Sequence, residues 1–174
     1  MRTITFLITL LYTLNSSAQE LKRINTENSI INYTGKHFLH GWSAENTNVS
    51  GLIQLNDSLI SNIGIVAKVS DFKSGNSSLD SNSLRVIEAL KFPNIIFKST
   101  SVTNENGQIV IDGKIEFHGV ERKINVLAEK INDGNFTNLT GEFSVNLTDY
   151  LIERPSLLLR KIDDEIFIKF EIYY

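Results

Sequence analysis

The segment FPNIIFKSTSVTNENGQIVIDGKIEFHGVERKINVLAE, residues Phe92–Glu129, decides the fold. From Asn94 to Val102, Ile95, Phe97, Ser99 and Ser101 fall on one face and Lys98 and Thr100 on the other, the period of two of a half-buried strand. Asn104, Glu105, Asn106 and Gly107 then supply a polar turn. From Gln108 to His118, Ile109, Ile111, Ile115 and Phe117 alternate with Asp112, Lys114 and Glu116, and Gly119 permits a second tight turn into a strand over Val120–Glu129. Three consecutive strands with one oily and one charged face imply an antiparallel sheet covered on one side.

The same periodicity extends in both directions. Upstream it predicts strands over Ser29–Lys36, Asn48–Leu55 and Asn62–Phe72, with HFLHGW read as a turn and Asn56, Asp57 and Ser58 as another. Downstream it predicts Phe136–Tyr150 and Glu165–Tyr174. Between Ser78 and Lys91 the spacing changes: Leu79, Leu84, Ile87 and Leu90 recur at about three to five residues, so a short helix is expected, capped by Asp80 or Ser81 and ended by Phe92-Pro93. Eight strands and one helix joined by short connections are best satisfied by an all-β antiparallel barrel, which leaves no open edge. Eight strands give an interior that side chains can fill or that can hold one slender ligand, and both show the same alternation.

Pro93, Ile95, Phe97 and Ser99, followed by Gly113, Ile115, Phe117, His118, Gly119, Val120 and Lys123, carry a resemblance in their order and spacing. The chain resembles the YceI-like family of lipid- and polyisoprenoid-binding domains. The resemblance implies a lipocalin-like eight-stranded barrel around an apolar cavity, with an amphiphilic lipid or isoprenoid quinone as partner, held for transport, storage or shielding. Asp80, Leu84, Ala89, Leu90, Lys91 and Pro93 look like a shortened form of the family's helical segment, without the Arg and His of its Arg-Asp-His-Leu run. A head-group contact made through that pair in relatives therefore does not carry over. Asp149 and Tyr150 stand where many relatives have an Arg-x-x-(Phe/Tyr)-Gly sequence.

The inward positions of these strands give the expected cavity lining: Ile63, Ile65, Val69, Ile95, Phe97, Ile109, Ile111, Ile115, Phe117, Ile124, Val126, Leu139, Phe143, Val145, Ile166, Ile168 and Phe170. Such a set suits a long, flexible, apolar ligand, because few buried polar groups would fix its orientation. The Leu157-Leu158-Leu159 run is apolar for a loop and is expected either to cover one mouth of the barrel or to contact a membrane peripherally.

The N-terminus reads as a leader. Met1 and Arg2 give a positive start, Ile4–Leu14 an apolar run interrupted by threonines, and Ser16, Ser17 and Ala18 the small residues of a cleavage site. That run is shorter than the twenty or so residues a permanent span needs. Cleavage after Ala18 is expected, giving an exported protein, in the bacterial periplasm or outside the cell, with residues 19–174 as one domain, monomeric or homodimeric. Removing Arg2 from the 17 Lys and Arg leaves 16 against 20 Asp and Glu, a net charge of −4. Nothing in that balance offers a footprint for nucleic acid.

No cysteine is present, which excludes disulfides, thiolate metal sites, cysteine nucleophiles and lipoprotein attachment. The three histidines, His37, His40 and His118, lack the spacing and acidic companions of a metal or catalytic site. No Gly-x-Ser-x-Gly elbow, Walker loop or dinucleotide fingerprint occurs. No catalytic or metal-ligating residue and no cofactor beyond a bound isoprenoid lipid are therefore expected. A lipid-modifying enzyme would need a polar cluster inside the barrel, for which Asp71, Asp149 and His118 are the candidates. The alternative to a carrier is a filled barrel acting through protein contacts at the envelope or as an accessory to membrane electron transfer.

Overall fold

The computed structural model describes residues 19–105, 108–133 and 136–174. The expected leader and the turn residues Asn106 and Gly107 lie outside the described residues. The strands are β1 (Gln19–Arg23), β2 (Ile30–Lys36), β3 (Gly41–Asn46), β4 (Ser50–Asn56), β5 (Leu59–Lys68), β6 (Asn94–Glu105), β7 (Gln108–Phe117), β8 (Val120–Asp133), β9 (Phe136–Asn146), β10 (Ser156–Leu157), β11 (Arg160–Lys161) and β12 (Glu165–Tyr173). The one α-helix among the described residues, α1 (Ser77–Val86), connects β5 to β6.

Ten strands form a single sheet in the order β1-β4-β5-β6-β7-β8-β9-β12-β2-β3, and β10 and β11 form a separate small hairpin. Every neighbouring pair is antiparallel. The fold is thus mostly β with one helix, as expected, but the main sheet has ten strands rather than eight. The two additional strands are β1, which pairs with β4, and β3, which pairs with β2. In β3, Ala44 and Asn46 are buried and Trp42 half-buried on one side, but its flanking Gly41 and Asn46 read as turn residues in sequence.

The sheet curls until β3 meets the far end of β5. There Glu45 and Lys73 exchange backbone hydrogen bonds of 3.0 and 2.8 Å, and Asn46 donates through Nδ2 to the Lys68 carbonyl at 3.1 Å. These bonds close the curl where a continuous ladder would close a complete barrel. The third expected strand stops short of Phe72: β5 ends at Lys68 and a 3-10 turn, Val69–Asp71, follows. Likewise β9 ends at Asn146, and Leu147–Tyr150 is a 3-10 turn that buries Leu147 and Tyr150.

Alternation in β7 buries Ile109, Ile111 and Ile115, and in β12 Ile166, Phe170 and Ile172. In β6 the register shifts between Ser99 and Ser101. This bulge re-aims the strand, so that Val102 packs against the core and Ser101, expected on the inner face, is exposed and donates to Asp112 at 2.9 Å.

Two apolar clusters fill the interior. Val49, Ile53, Leu55, Ile60, Ile109, Ala128 and Ile172 belong to the one near the β6–β7 connection. Ile115, Leu147, Tyr150, Ile152 and Ile166 form the other, toward the turn between β7 and β8. Fully burying each aliphatic side chain contributes roughly 1.5–3 kcal/mol, so the first cluster alone is a substantial anchor.

Candidate ligand-binding cavity

Between and beyond these clusters the curl encloses a cavity of about 420 Å³. The barrel is therefore filled at one end and hollow toward the other. A volume in the few-hundred Å³ range is that of small-molecule sites in general. Its wall is built by the inward positions of the curled sheet, because a period-two strand presents alternate side chains to one face.

All of the sequence-predicted lining residues except Ile109 line this cavity: Ile63, Ile65, Val69, Ile95, Phe97, Ile111, Ile115, Phe117, Ile124, Val126, Leu139, Phe143, Val145, Ile166, Ile168 and Phe170. Ile109 packs instead in the filled end, one pair of residues too close to the Glu105–Gln108 turn to reach the opening. Phe143 and Phe170 set a tilted aromatic pair across β9 and β12, centroids 6.4 Å apart, and Phe117 faces Tyr150 at 5.4 Å.

The mouth is formed by residues that alternation alone does not single out. Tyr33, Trp42, His37 and His40 line it from β2, β3 and the turn between them, and Pro155, Ser156 and Ile162 from the chain around β10 and β11. Leu79, Asp80, Asn82, Ser83, Val86 and Ile87 line it from α1 and the residue that follows. In the β2–β3 ladder Gly35 opposes Trp42, and a glycine opposite a tryptophan allows close approach of the ring.

Helix α1 lies over this opening with none of its residues fully buried. Its cap is Asn76, whose Oδ1 accepts from the Ser78 and Leu79 amides at 3.0 and 3.1 Å, in place of the expected Asp80 or Ser81. Asp80 accepts from the Ser74 amide at 2.9 Å and from the Ser74 hydroxyl at 2.6 Å, and these bonds hold its carboxyl below the ordinary value. The helix ends at Val86, short of the expected Lys91, because Glu88 adopts a left-handed conformation (φ 47°) that breaks the helical run.

Burial pushes the Tyr33 phenol up, assisted by the nearby Asp80 carboxylate and opposed by hydrogen bonding with Ser83 and Trp42. Tyr33 thus stays a neutral donor across the physiological range. His37 approaches the Arg160 carbonyl through Nε2 at 3.3 Å; a carbonyl only accepts, so Nε2 carries the hydrogen, and the buried Nδ1 has no protein partner. Among the described residues, Asp80 is the one Asp, Glu, Lys or Arg side chain in the lining.

The candidate polar cluster for catalysis is not assembled. Asp71 accepts from Asn48 at 2.7 Å, Asp149 from Asn146 at 3.3 Å, and His118 bonds the Tyr150 carbonyl and the Glu88 carboxylate, each at 2.9 Å. None of the three lines the cavity. Among the described residues no group of three or more His, Asp or Glu is placed to hold a metal ion. Leu158 and Leu159 do not line the cavity either; both point into solvent.

The YceI-like domain matches this chain over residues 23–174, from the end of β1 to the C-terminal strand. The chain belongs to the YceI-like family. Solved structures similar to it have the same fold. BcnA of Burkholderia cenocepacia superposes with a TM-score of 0.78 at 13% identity, covering 87% of this chain and 99% of that one. A polyisoprenoid binding domain from Saccharophagus degradans, implicated in plant cell wall breakdown, gives 0.73 at 13% identity, covering 91% and 98%. A YceI protein of Campylobacter jejuni gives 0.62 at 16%, covering 72% and 80%. Comparison with curated proteins finds no match. This YceI-like chain therefore keeps the family's curled sheet on a sequence that shares few residues with those structures. His118 and Gly119, part of the family signature, form the β7–β8 turn, both at positive φ (52° and 73°).

Proposed function

We propose that this YceI-like protein binds an amphiphilic isoprenoid lipid, with the tail in the cavity and the head at the mouth, and carries or shields it outside the cytoplasm. The single observation that carries this reading is the hollow, almost wholly apolar interior opening under a helix that buries no residue of its own. Similarity to the polyisoprenoid binding domain from Saccharophagus degradans supports the choice of ligand class. The leader read in residues 1–18 supports export.

Each methylene-sized unit of tail removed from water contributes about 0.8 kcal/mol, so several isoprene units suffice for tight binding without any polar contact. Among the described residues the lining carries one carboxylate, Asp80, and no ammonium or guanidinium group. That balance favours a neutral, hydrogen-bonding head such as a quinone over a prenyl phosphate, whose charge Asp80 would repel. Tyr33, Ser83 and His37 supply donors and an acceptor for such a head. The family's description as a binding domain supports binding rather than catalysis.

Native mass spectrometry of the protein purified from its own envelope, with organic extraction of what co-purifies, tests this. A stoichiometric species of isoprenoid mass is expected. A chain that stays at its bare mass after incubation with isoprenoid quinones and prenyl phosphates would overturn the reading.

A further inference from the structure

Three hairpins among the described residues turn on two residues at positive φ. Asp57-Ser58 (49° and 67°) joins β4 to β5, and His118-Gly119 joins β7 to β8. Both contain a residue suited to the left-handed conformation, as two-residue hairpin turns require. The third, between β10 and β11, is Leu158-Leu159, with φ of 51° and 65°. Leucine is poorly suited to that conformation, and its Cβ makes the turn strained. The strain holds two leucines at the very tip of a hairpin, where they are 70% and 101% exposed. Backbone strain kept in place to display apolar side chains to solvent points to function.

A second apolar tip stands beside the first. Phe38 and Leu39, 52% and 53% exposed, cap the turn between β2 and β3. The tips are tied together: His37 bonds the Arg160 carbonyl, and the Arg160 guanidinium lies 4.6 Å over the Phe38 ring. Residues 36–40 and 156–161 together carry Lys36, Arg160 and Lys161 and no carboxylate; Asp163 and Asp164 follow at the base. His37, His40 and Ser156 of the same two segments line the cavity mouth. No helix among the described residues is long and apolar enough to cross a membrane.

We propose that the paired tips, Phe38-Leu39 and Leu158-Leu159 with their flanking cations, dock the cavity mouth onto an anionic lipid bilayer. Apolar side chains enter the boundary between head groups and acyl chains, while Lys and Arg meet the anionic head groups, the chemistry by which peripheral proteins hold a membrane surface. Docking there would let an apolar tail pass between bilayer and cavity without crossing water. Vesicle attachment does not depend on what the cavity holds, so this inference and the lipid-binding reading fail separately.

Co-sedimentation with vesicles of phosphatidylcholine, with and without phosphatidylglycerol, tests it on the protein lacking its leader. Wild type is expected to bind the phosphatidylglycerol vesicles, and more weakly as salt rises. Replacing Leu158-Leu159 by Asn-Gly gives the turn its preferred residues, so the variant is expected to fold at least as stably while its vesicle affinity falls at least about tenfold. Arg160→Glu with Lys161→Glu is expected to abolish the preference for anionic vesicles. Unchanged vesicle binding by the Asn-Gly variant would overturn the proposal, as would wild type failing to bind either vesicle. A wild-type dimer that the Asn-Gly change splits, with vesicle binding unaltered, would instead assign the tips to a second copy of this chain.

Discussion

The indole of Trp42 lies across the backbone of Gly35, directly opposite it in the β2–β3 ladder, so closely that a Cβ at position 35 would fall 2.3 Å from the ring. Glycine there lets a large aromatic ring lie flat against the sheet and face the cavity mouth.

Gly35→Ala is therefore expected to lift the indole from the sheet and destabilise the fold by roughly 1–3 kcal/mol, the usual cost of overpacking. Trp42 is the chain's one tryptophan, so its emission reports the displacement directly, and the same emission is expected to shift when wild type takes up a quinone. An unchanged spectrum in either experiment would separate Trp42 from the mouth.

Filling the hollow tests whether it matters. Ile65 lines the cavity and is only partly buried, so Ile65→Trp has space to enter. The variant is expected to melt within a few degrees of wild type, since about 1 kcal/mol shifts the midpoint by a few degrees in a domain of this size. Its isoprenoid uptake is expected to vanish. A large loss of stability would mean that the space is not there.

His118 and Glu88 fasten the chain that follows α1 to the β7–β8 turn, and the two ends of this link differ in worth. Glu88 is 52% exposed at its side chain, so its hydrogen bond with His118 contributes about 0–1 kcal/mol, and it sits at a strained positive φ that glycine would relieve by about as much. Glu88→Gly is thus expected to leave stability nearly unchanged. His118→Ala removes the donor to the Tyr150 carbonyl and is expected to cost roughly 1–3 kcal/mol in urea unfolding.

Tyr174 gives a pH dependence with a definite sign. Burial pushes its phenol up to about 12, and its hydroxyl has no protein partner. The folded state therefore holds the phenolic proton more tightly than the unfolded chain, whose value is near 10. Its contribution is complete below about pH 10 and is lost as pH rises through about 12. Tyr174→Phe is expected to flatten that alkaline decline in thermal melts, and to be neutral or stabilising at pH 7 because a buried unsatisfied hydroxyl disappears.

Much of this fold was legible because period-two alternation follows from strand geometry. The inner faces of β7, β9 and β12 could be written down residue by residue, and with them most of the cavity wall. What alternation misses are the places where the chain departs from it. The bulge beyond Ser99 reverses the faces of β6, so Val102 rather than Ser101 turns inward. Strand β3 is short and flanked by turn-forming residues, so GWSAEN read as a connection. Ile109 shares its face with Ile111 and Ile115, yet position along the barrel axis, which a one-dimensional pattern does not contain, puts it in the filled end. The mouth eluded alternation because it is built from turns, a cap and a helix, where side-chain direction depends on tertiary placement. The Asn76 cap did carry a signal, since Asn is among the strongest N-cap residues, but Asp80 offered a competing one.

Helix α1 has a consequence in time rather than in space. A helix of ten residues with no side chain fully buried owes little of its stability to the core beneath it. Its amides are expected to exchange with deuterium much sooner than those of β7 or β8, because local opening costs less than global unfolding. The residence time of a bound molecule would then follow the rhythm of this one segment, and would lengthen wherever a ligand packs against it.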